Sequence, residues 1–226
     1  MKKIGIIGSG DVAKTLGSGF AKHGYEVMLG SRNPEKLAEW KAAEFGETYC
    51  GPAIPARRLA GTMREAAQFG EIVVLATHGS AAEEAIKQAG AENLSGKTVI
   101  DVTNPIDDSR PPVNGVLNYY TSLDESQMER LQKKFPSANF VKAFNSVGNA
   151  FMVNPDFGGE KPTMFICGND DAAKRDVTAI LEKFGWEAAD MGKMEAARAI
   201  EPLCILWCIP GFLRNEWGHA FRLVKK

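Results

Sequence analysis

Lys3-Ile4-Gly5-Ile6-Ile7-Gly8-Ser9-Gly10-Asp11-Val12-Ala13 stands at the head of the chain and decides how the rest is read. Lys3–Ile7 is a short β-branched run, the pattern of a buried strand, and Val12–Lys22 has the apolar spacing of an amphipathic helix. Between them Gly8 to Ala13 reads G-x-G-x-x-A. In that position the first glycine permits a tight turn, the second lets backbone approach a pyrophosphate, and Ala13 allows the helix to pack closely on the strand. Free N–H groups at the helix start then attract the phosphates. Asp11 is unusual beside a pyrophosphate, and its side chain is expected to turn aside and cap the helix.

Working outward, strand and helix signals alternate: Glu26–Leu29 as strand, Pro34–Phe45 as helix, Thr62–Phe69 as helix, Ile72–Ala76 as strand, Ser80–Gln88 as helix and Thr98–Val102 as strand. Glu47 to Gly61, with Gly51, Pro52 and Pro55, is expected to be a surface loop leading into a short strand or turn. Asp107 to Leu123, with Pro111-Pro112 and Asn114-Gly115, cannot be regular, and a connection of that length in a compact domain usually carries function or disorder. Helix Ser126–Phe135, strand Phe140–Ala143, strand Thr163–Cys167, helix Asp170–Phe184 and strand Trp186–Asp190 follow, then an apolar helical region from Met194. The pattern predicts an α/β fold, a doubly wound parallel sheet of Rossmann type over residues 1–192, with a small helical extension over 193–226.

With 27 Lys+Arg against 28 Asp+Glu and a pI near 6.3, scattered cations give no patch for a phosphate backbone or an anionic membrane, so neither is expected as a partner. The apolar run Pro202 to Leu213, interrupted by Pro210, is too short to span a bilayer, and Met1-Lys2-Lys3 leads into no long apolar core. A cytoplasmic protein is expected. Cys50, Cys167, Cys204 and Cys208 show no CxxC spacing and read as reduced thiols. His23, His78 and His219 lie far apart, without carboxylates at ligand spacing, so no metal site is expected.

About 20 residues beyond the glycine turn, an NAD site places an acid for the ribose hydroxyls. Here Gly30-Ser31-Arg32-Asn33-Pro34-Glu35-Lys36 offers donors instead, and Ser31, Arg32 and Lys36 can converge on a 2′-phosphate. NADP(H) is the expected cofactor. At the other end, Glu195, Arg198 and Glu201 recur at three-residue spacing and can pair with one another. Leu203 to Ile209 is apolar all round, which predicts burial against a second subunit and a homodimer.

Gly8-Ser9-Gly10-Asp11, Gly30 to Pro34, Ile100-Asp101-Val102-Thr103-Asn104-Pro105, Val141-Lys142-Ala143-Phe144-Asn145 and Ala197-Arg198-x-x-Glu201 together resemble the NADP-dependent oxidoreductases that use the deazaflavin coenzyme F420. The same string resembles the cytosolic reductase domain of six-transmembrane metalloreductases, and the likeness runs over essentially the whole chain. It implies direct hydride transfer between NADP(H) and a flavin or deazaflavin co-substrate. Gly8, Ser9, Gly10, Asp11 and Val12 would hold the pyrophosphate, Ser31, Arg32, Asn33 and Lys36 the 2′-phosphate, and Ala76, Thr77, His78 and Asn145 the nicotinamide side. Gly79, Asn145, Ser146 and Val147 would border the acceptor ring, with His78 and Asn145 as positioning groups in catalysis. The chain departs from the deazaflavin reductases in having His78-Gly79 for their Pro-Trp pair and Asn145 for their His. Gly79 is expected to widen the acceptor slot by removing an aromatic wall. An NADP(H)-binding redox sensor without turnover, or a reductase of a small carbonyl or imine, also fits these residues.

Overall fold

The computed structural model describes residues 2–42 and 57–226. β1 (Lys3–Ile7) leads through the glycine turn into α1 (Asp11–Lys22) and β2 (Glu26–Gly30), and a 3-10 turn at Pro34–Leu37 continues into α2 (Ala38–Ala42). β3 (Arg58–Gly61), α3 (Met63–Phe69), β4 (Ile72–Leu75), α4 (Ala82–Ala89) and β5 (Thr98–Asp101) come next. α5 (Gln127–Lys134), β6 (Asn139–Lys142), β7 (Thr163–Gly168), α6 (Asp171–Lys183), β8 (Glu187–Asp190), α7 (Ala197–Ile200) and α8 (Leu203–Arg214) complete it. Residues 107–123 form no helix or strand, as expected, only isolated bridges. Most of the expected loop before Gly61, and Cys50 with it, lies outside the described residues; Arg58–Gly61 is the short strand at its end.

The sheet runs β3-β2-β1-β4-β5-β6-β7-β8, a Rossmann-type order extended by two strands. β1 to β6 are parallel, with β1 between β2 and β4. The fully parallel sheet expected from sequence fails at β6–β7, which pair antiparallel through Val141–Gly168 and Lys142–Cys167. A parallel return needs a crossover of a dozen or more residues, usually a helix, that carries the chain back along the sheet. The segment between β6 and β7 holds only the 3-10 turn Asn149–Phe151, so the chain comes back in the opposite sense.

Both faces of the sheet are buried, which is why the central strands read as continuous apolar runs rather than alternating ones. Ile6, Val74, Ile100 and Val141 pack on one side against Leu16 and Phe20 of α1 and Val177 and Ile180 of α6. Ile7, Val73, Leu75 and Val99 pack on the other against Ile86 of α4, Met128 of α5 and Ile200 of α7. Helix starts follow their caps: Thr62 with Glu65 and Ser126 with Glu129 form reciprocal capping boxes.

The C-terminal helices lie against this body. The inward side of α8 buries Cys204 and Trp207, while Leu206, Phe212 and Leu213 are about half exposed. Trp207 does not await a partner: it donates Nε1–H to the His219 carbonyl at 2.8 Å and stacks on the His219 ring. Burial on every side of this helix is thus replaced by one buried and one open apolar face. By length and composition Met194–Arg214 is long and apolar enough to cross a membrane, a run the shorter count from Pro202 overlooked, and a third of it is buried in the protein. Of its four charged residues, Glu195, Arg198, Glu201 and Arg214, Arg198 and Glu201 are spent on ion pairs with Glu129 and Lys142. Cys167, Cys204 and Cys208 are free thiols.

Candidate functional site

At the carboxyl ends of β1, β2, β4 and β5 a cleft of about 650 Å³ opens where the strand order reverses, the place where open α/β sheets bind ligands. The glycine turn forms its floor. Gly8 takes φ of +143°, and a Cβ there would sit 2.2 Å from the Ala76 carbonyl oxygen, so only glycine lets β1 and β4 close up at this point. At Gly10, the N-cap of α1, a Cβ would meet nothing within 4 Å, which leaves bare backbone facing the cleft. Asp11 is exposed in the first turn of α1 and makes no capping bond. The expectation that it caps the helix fails because the cap position is taken by Gly10, which has no side chain to accept.

On the side of β2, Ser31 is buried, accepts from the Asn33 N–H at 3.1 Å and donates to Ser9 Oγ at 3.3 Å. It thereby fixes the loop that carries Arg32 and Lys36, both exposed and both lining the cleft. The fit of a dinucleotide to these residues is good: a bare turn at a helix start for a pyrophosphate, and two cations at one end for a 2′-phosphate. Of the expected cofactor-binding residues, Gly8, Ser9, Gly10, Asp11, Val12, Ser31, Arg32, Asn33, Lys36, Ala76, Thr77 and His78 all line this one cleft.

The far end is built differently from the sequence reading. His78 stands exposed at the rim, 3.8 Å from Asp108 of the irregular loop. Gly79 does not widen the slot: a Cβ there would lie 2.0 Å from the Asn104 carbonyl oxygen and 2.9 Å from Gln127 Oε1. The space that an aromatic wall would need is filled by backbone. Asn145, Ser146 and Val147 are buried beneath the cleft, not on its lining. Asn104 is the amide on the surface, donating Nδ2–H to the Asn145 carbonyl at 2.8 Å and accepting from Asn145 Nδ2 at 3.2 Å. Asn145 also donates to the Ile200 carbonyl at 2.9 Å, and its Oδ1 finds no hydrogen-bond partner among the described residues. Just before it, Phe144 is buried at φ of +62°, a costly conformation for a bulky residue that the close packing of this turn imposes.

Below Asn104 lies a feature that sequence spacing does not reveal. Lys142, fully buried at the end of β6, stands 2.7 Å from Asp101 and 3.0 Å from Glu201 and donates to the Thr103 carbonyl at 2.8 Å. Burial alone would lower its pKa, but the two carboxylates outweigh that and hold the ammonium above the ordinary lysine value. Asp101 accepts from both the N–H and the hydroxyl of Thr103, at 3.0 and 2.7 Å, and so shapes the turn that presents Asn104. Glu201 accepts from the N–H groups of Gln127 and Met128, at 2.9 and 3.0 Å, at the start of α5. Arg198 pairs with Glu129, not with Glu195 or Glu201. Three-residue spacing put these charges on one side of the helical stretch around α7, but the carboxylate of Glu129 and the ammonium of Lys142 outcompete their neighbours in that stretch. A lysine closing an otherwise buried strand was the available signal.

Comparison with known proteins follows this geometry. The model of the family described as NADP oxidoreductase, coenzyme F420-dependent, matches residues 3–105, from β1 to the turn that carries Asn104. The F420-dependent NADP reductase of Methanothermobacter marburgensis is 30% identical over 223 residues, covering 94% of this chain and 95% of that protein. The chain belongs to the F420-dependent NADP oxidoreductase family.

It accordingly belongs among NADP-dependent oxidoreductases, and the residues expected to hold the nucleotide line the cleft. A crystal structure described as a candidate F420-dependent NADP-reductase of Arthrobacter sp. FB24 superposes over the whole of both chains with a TM-score of 0.87 at 29% identity. Metalloreductase STEAP3 of Rattus norvegicus is 29% identical over 216 residues, 93% of this chain but 39% of that protein, so this family member spans about two fifths of the length of that relative.

Proposed function

We propose that the protein passes a hydride directly from NADPH to a flavin or deazaflavin ring held at the His78–Asn104 end of the cleft. The observation that carries this reading is continuity: one cleft runs from Arg32 and Lys36 past the glycine turn to His78, Asn104, Ile106 and Asp108. Its volume lies within the range of small-molecule sites, where two reactants are oriented and water is displaced. Bound NADPH supplies two electrons and one hydrogen from the nicotinamide carbon, leaving NADP+ and a reduced ring that takes its remaining proton from solvent.

The chain's own part is binding and orientation. Gly8 to Val12 hold the pyrophosphate on the α1 start, Ser31 fixes the loop from which Arg32 and Lys36 reach the 2′-phosphate, and Ala76 to His78 border the nicotinamide. Asn104, steadied by Asn145, offers a neutral amide to the ring edge. The half-open side of α8 (Leu206, Phe212, Leu213), with Val113 and Val116 exposed on the neighbouring loop, supports pairing with a second copy. Free thiols accord with a cytoplasmic setting.

Anaerobic oxidation of NADPH with FMN, FAD and deazaflavin in parallel tests the reading. Direct transfer requires that deuterium at the nicotinamide C4 be recovered on the deazaflavin C5; its complete loss to water, or oxidation with no ring acceptor, refutes it.

A further inference from the structure

Two thiols stand behind the His78–Asn104 end of the cleft without lining it. Cys204 and Cys208 are one helical turn apart on α8, Cys204 buried and Cys208 half-buried. Their side chains are hydrogen-bonded to each other, and the Tyr119 hydroxyl makes a further contact with Cys204. That hydroxyl donates to the Glu201 carbonyl at 2.8 Å, which the Cys204 N–H also reaches at 3.0 Å, and it lies 3.4 Å from Asn104 Oδ1. One polar chain therefore runs from the Asn104 amide on the cleft to a thiol near the surface. Cys167 shows the contrast: buried beside Met128 Sδ at 3.7 Å, its thiol is pushed up to about 12 by desolvation and stays an inert core group.

Residues four apart in an α-helix have Cα atoms about 6.2 Å from each other, given a rise of about 1.5 Å and a radius of about 2.3 Å, inside the range of about 4.4–6.8 Å that a disulfide spans. Their Cβ atoms, at roughly 5–6 Å, must close by about an ångström. The helix can give there. Pro210 lies inside α8, has no N–H for the Leu206 carbonyl and crowds it, which loosens the turn that carries Cys208. We propose that Cys204 and Cys208 are a reversible dithiol switch, which a hydroperoxide closes to a disulfide within α8, drawing Cys204 off Tyr119 and slackening the loop behind Asn104. The bond from Cys208 holds the Cys204 thiol below its ordinary value against burial and pushes Cys208 up, so the pair loses its first proton at Cys204 and can pass the charge to Cys208 across the shared bond. The Cys208 thiolate attacks a peroxide oxygen, the O–O bond breaks, the leaving oxygen takes up the released proton, and Cys208 becomes a sulfenic acid. The Cys204 sulfur then displaces the hydroxyl, which leaves with the Cys204 proton as water. Two thiols lose two electrons and the peroxide gains them, giving one disulfide, water and an alcohol or a second water. A strained bond of this kind is readily reduced, which suits a switch and not a staple.

Hydrogen peroxide on the whole protein under native conditions, followed by alkylation, is the test, since trypsin releases both cysteines in the single peptide 199–214. That peptide is expected to lose two hydrogens in mass and to take up no alkyl group, and dithiothreitol restores both alkylation sites. Amide hydrogen exchange across 113–123 is expected to rise about threefold or more in the oxidised protein, while 8–13 at the glycine turn keeps its rate. Cys208→Ala, at the less buried of the two positions, is expected to abolish both changes. Alkylation of both cysteines after peroxide, a disulfide between two chains, or a sulfinic acid at Cys208 in place of the bond overturns the proposal, and so does a disulfide that leaves exchange across 113–123 unchanged. Both readouts are taken without turnover, so they stand or fall apart from the identity of the electron acceptor.

Discussion

The ammonium of Lys142 lies 3.0 Å from the carboxylate of Glu201, and both side chains are buried. The contact ties the end of β6 to the junction of α7 and α8. Lys142→Met leaves Asp101 and Glu201 as two uncompensated charges in the interior, and removing one partner of a buried pair costs about 3–5 kcal/mol. Denaturant midpoints are expected to show that loss. Because the Lys142 pKa is raised by folding, its stabilisation is complete at neutral pH and declines only as pH climbs past the ordinary lysine value of 10.5. A variant as stable as wild type at pH 7 contradicts the account.

Acid sensitivity comes from a different pair. The hydrogen bonds from Arg198 hold the Glu129 carboxyl down to about 2, from an ordinary 4.5. A carboxylate lowered by folding stabilises above its unfolded value and loses that contribution as pH falls from 4.5 toward 2. Glu129→Gln is expected to flatten the acid limb of the stability profile and to cost about 1 kcal/mol at neutral pH, after discounting for solvent around Arg198.

Arg32→Ala is expected to raise the KM for NADPH about tenfold to a hundredfold, the worth of one charge-assisted contact, and to leave NADH nearly unaffected. Lys36→Ala acts in the same direction. Equal wild-type affinity for the two nucleotides removes the role given to this corner.

Gly79→Ala places a methyl group 2.0 Å from the Asn104 carbonyl oxygen, so the two loops must part. Stopped-flow turnover is expected to fall while NADPH binding, measured by titration, stays within a few fold. His78→Ala is expected to lower kcat only several-fold if this exposed rim residue only positions the ring, as proposed; a loss of about 100-fold or more would make it a proton donor.

Leu206→Glu with Leu213→Glu is expected to convert a dimer to a monomer by light scattering without unfolding it, because both side chains are more than half exposed in the single chain. Trp207→Glu is expected to unfold the protein instead, as Trp207 packs inward against Trp217 and His219. A wild-type monomer at micromolar concentration ends the pairing proposal.

The glycine turn and the β2 corner of the cleft were legible in the sequence because their determinants are local. Gly8, Gly10, Ser31, Arg32 and Lys36 act through turn geometry and helix starts that a few adjacent residues dictate. The acceptor half was not, because it is made by contacts between distant segments. Asn104 and Asn145 lie in two motifs that could be quoted but not paired, and which amide faces the cleft depends on the strained turn at Phe144. Arg198 found Glu129 and Glu201 found Lys142 for the same reason, since tertiary burial offers stronger partners than helical spacing does. The reversal at β7 rests on the absence of a crossover helix, visible only as a stretch without periodicity.

That reversal also separates the order of synthesis from the order of assembly. The two reversed strands end level with the close of β6, and α7 follows to bring Glu201 beside Lys142 and the Ile200 carbonyl beside Asn145. On a ribosome, every residue from Gly8 to His78 that lines the nucleotide end emerges early, whereas the brace under the acceptor end arrives with the last helices. A nascent chain halted before Glu201 would possess the groups proposed to hold NADPH but lack the strut beneath the end of the cleft proposed for its electron acceptor.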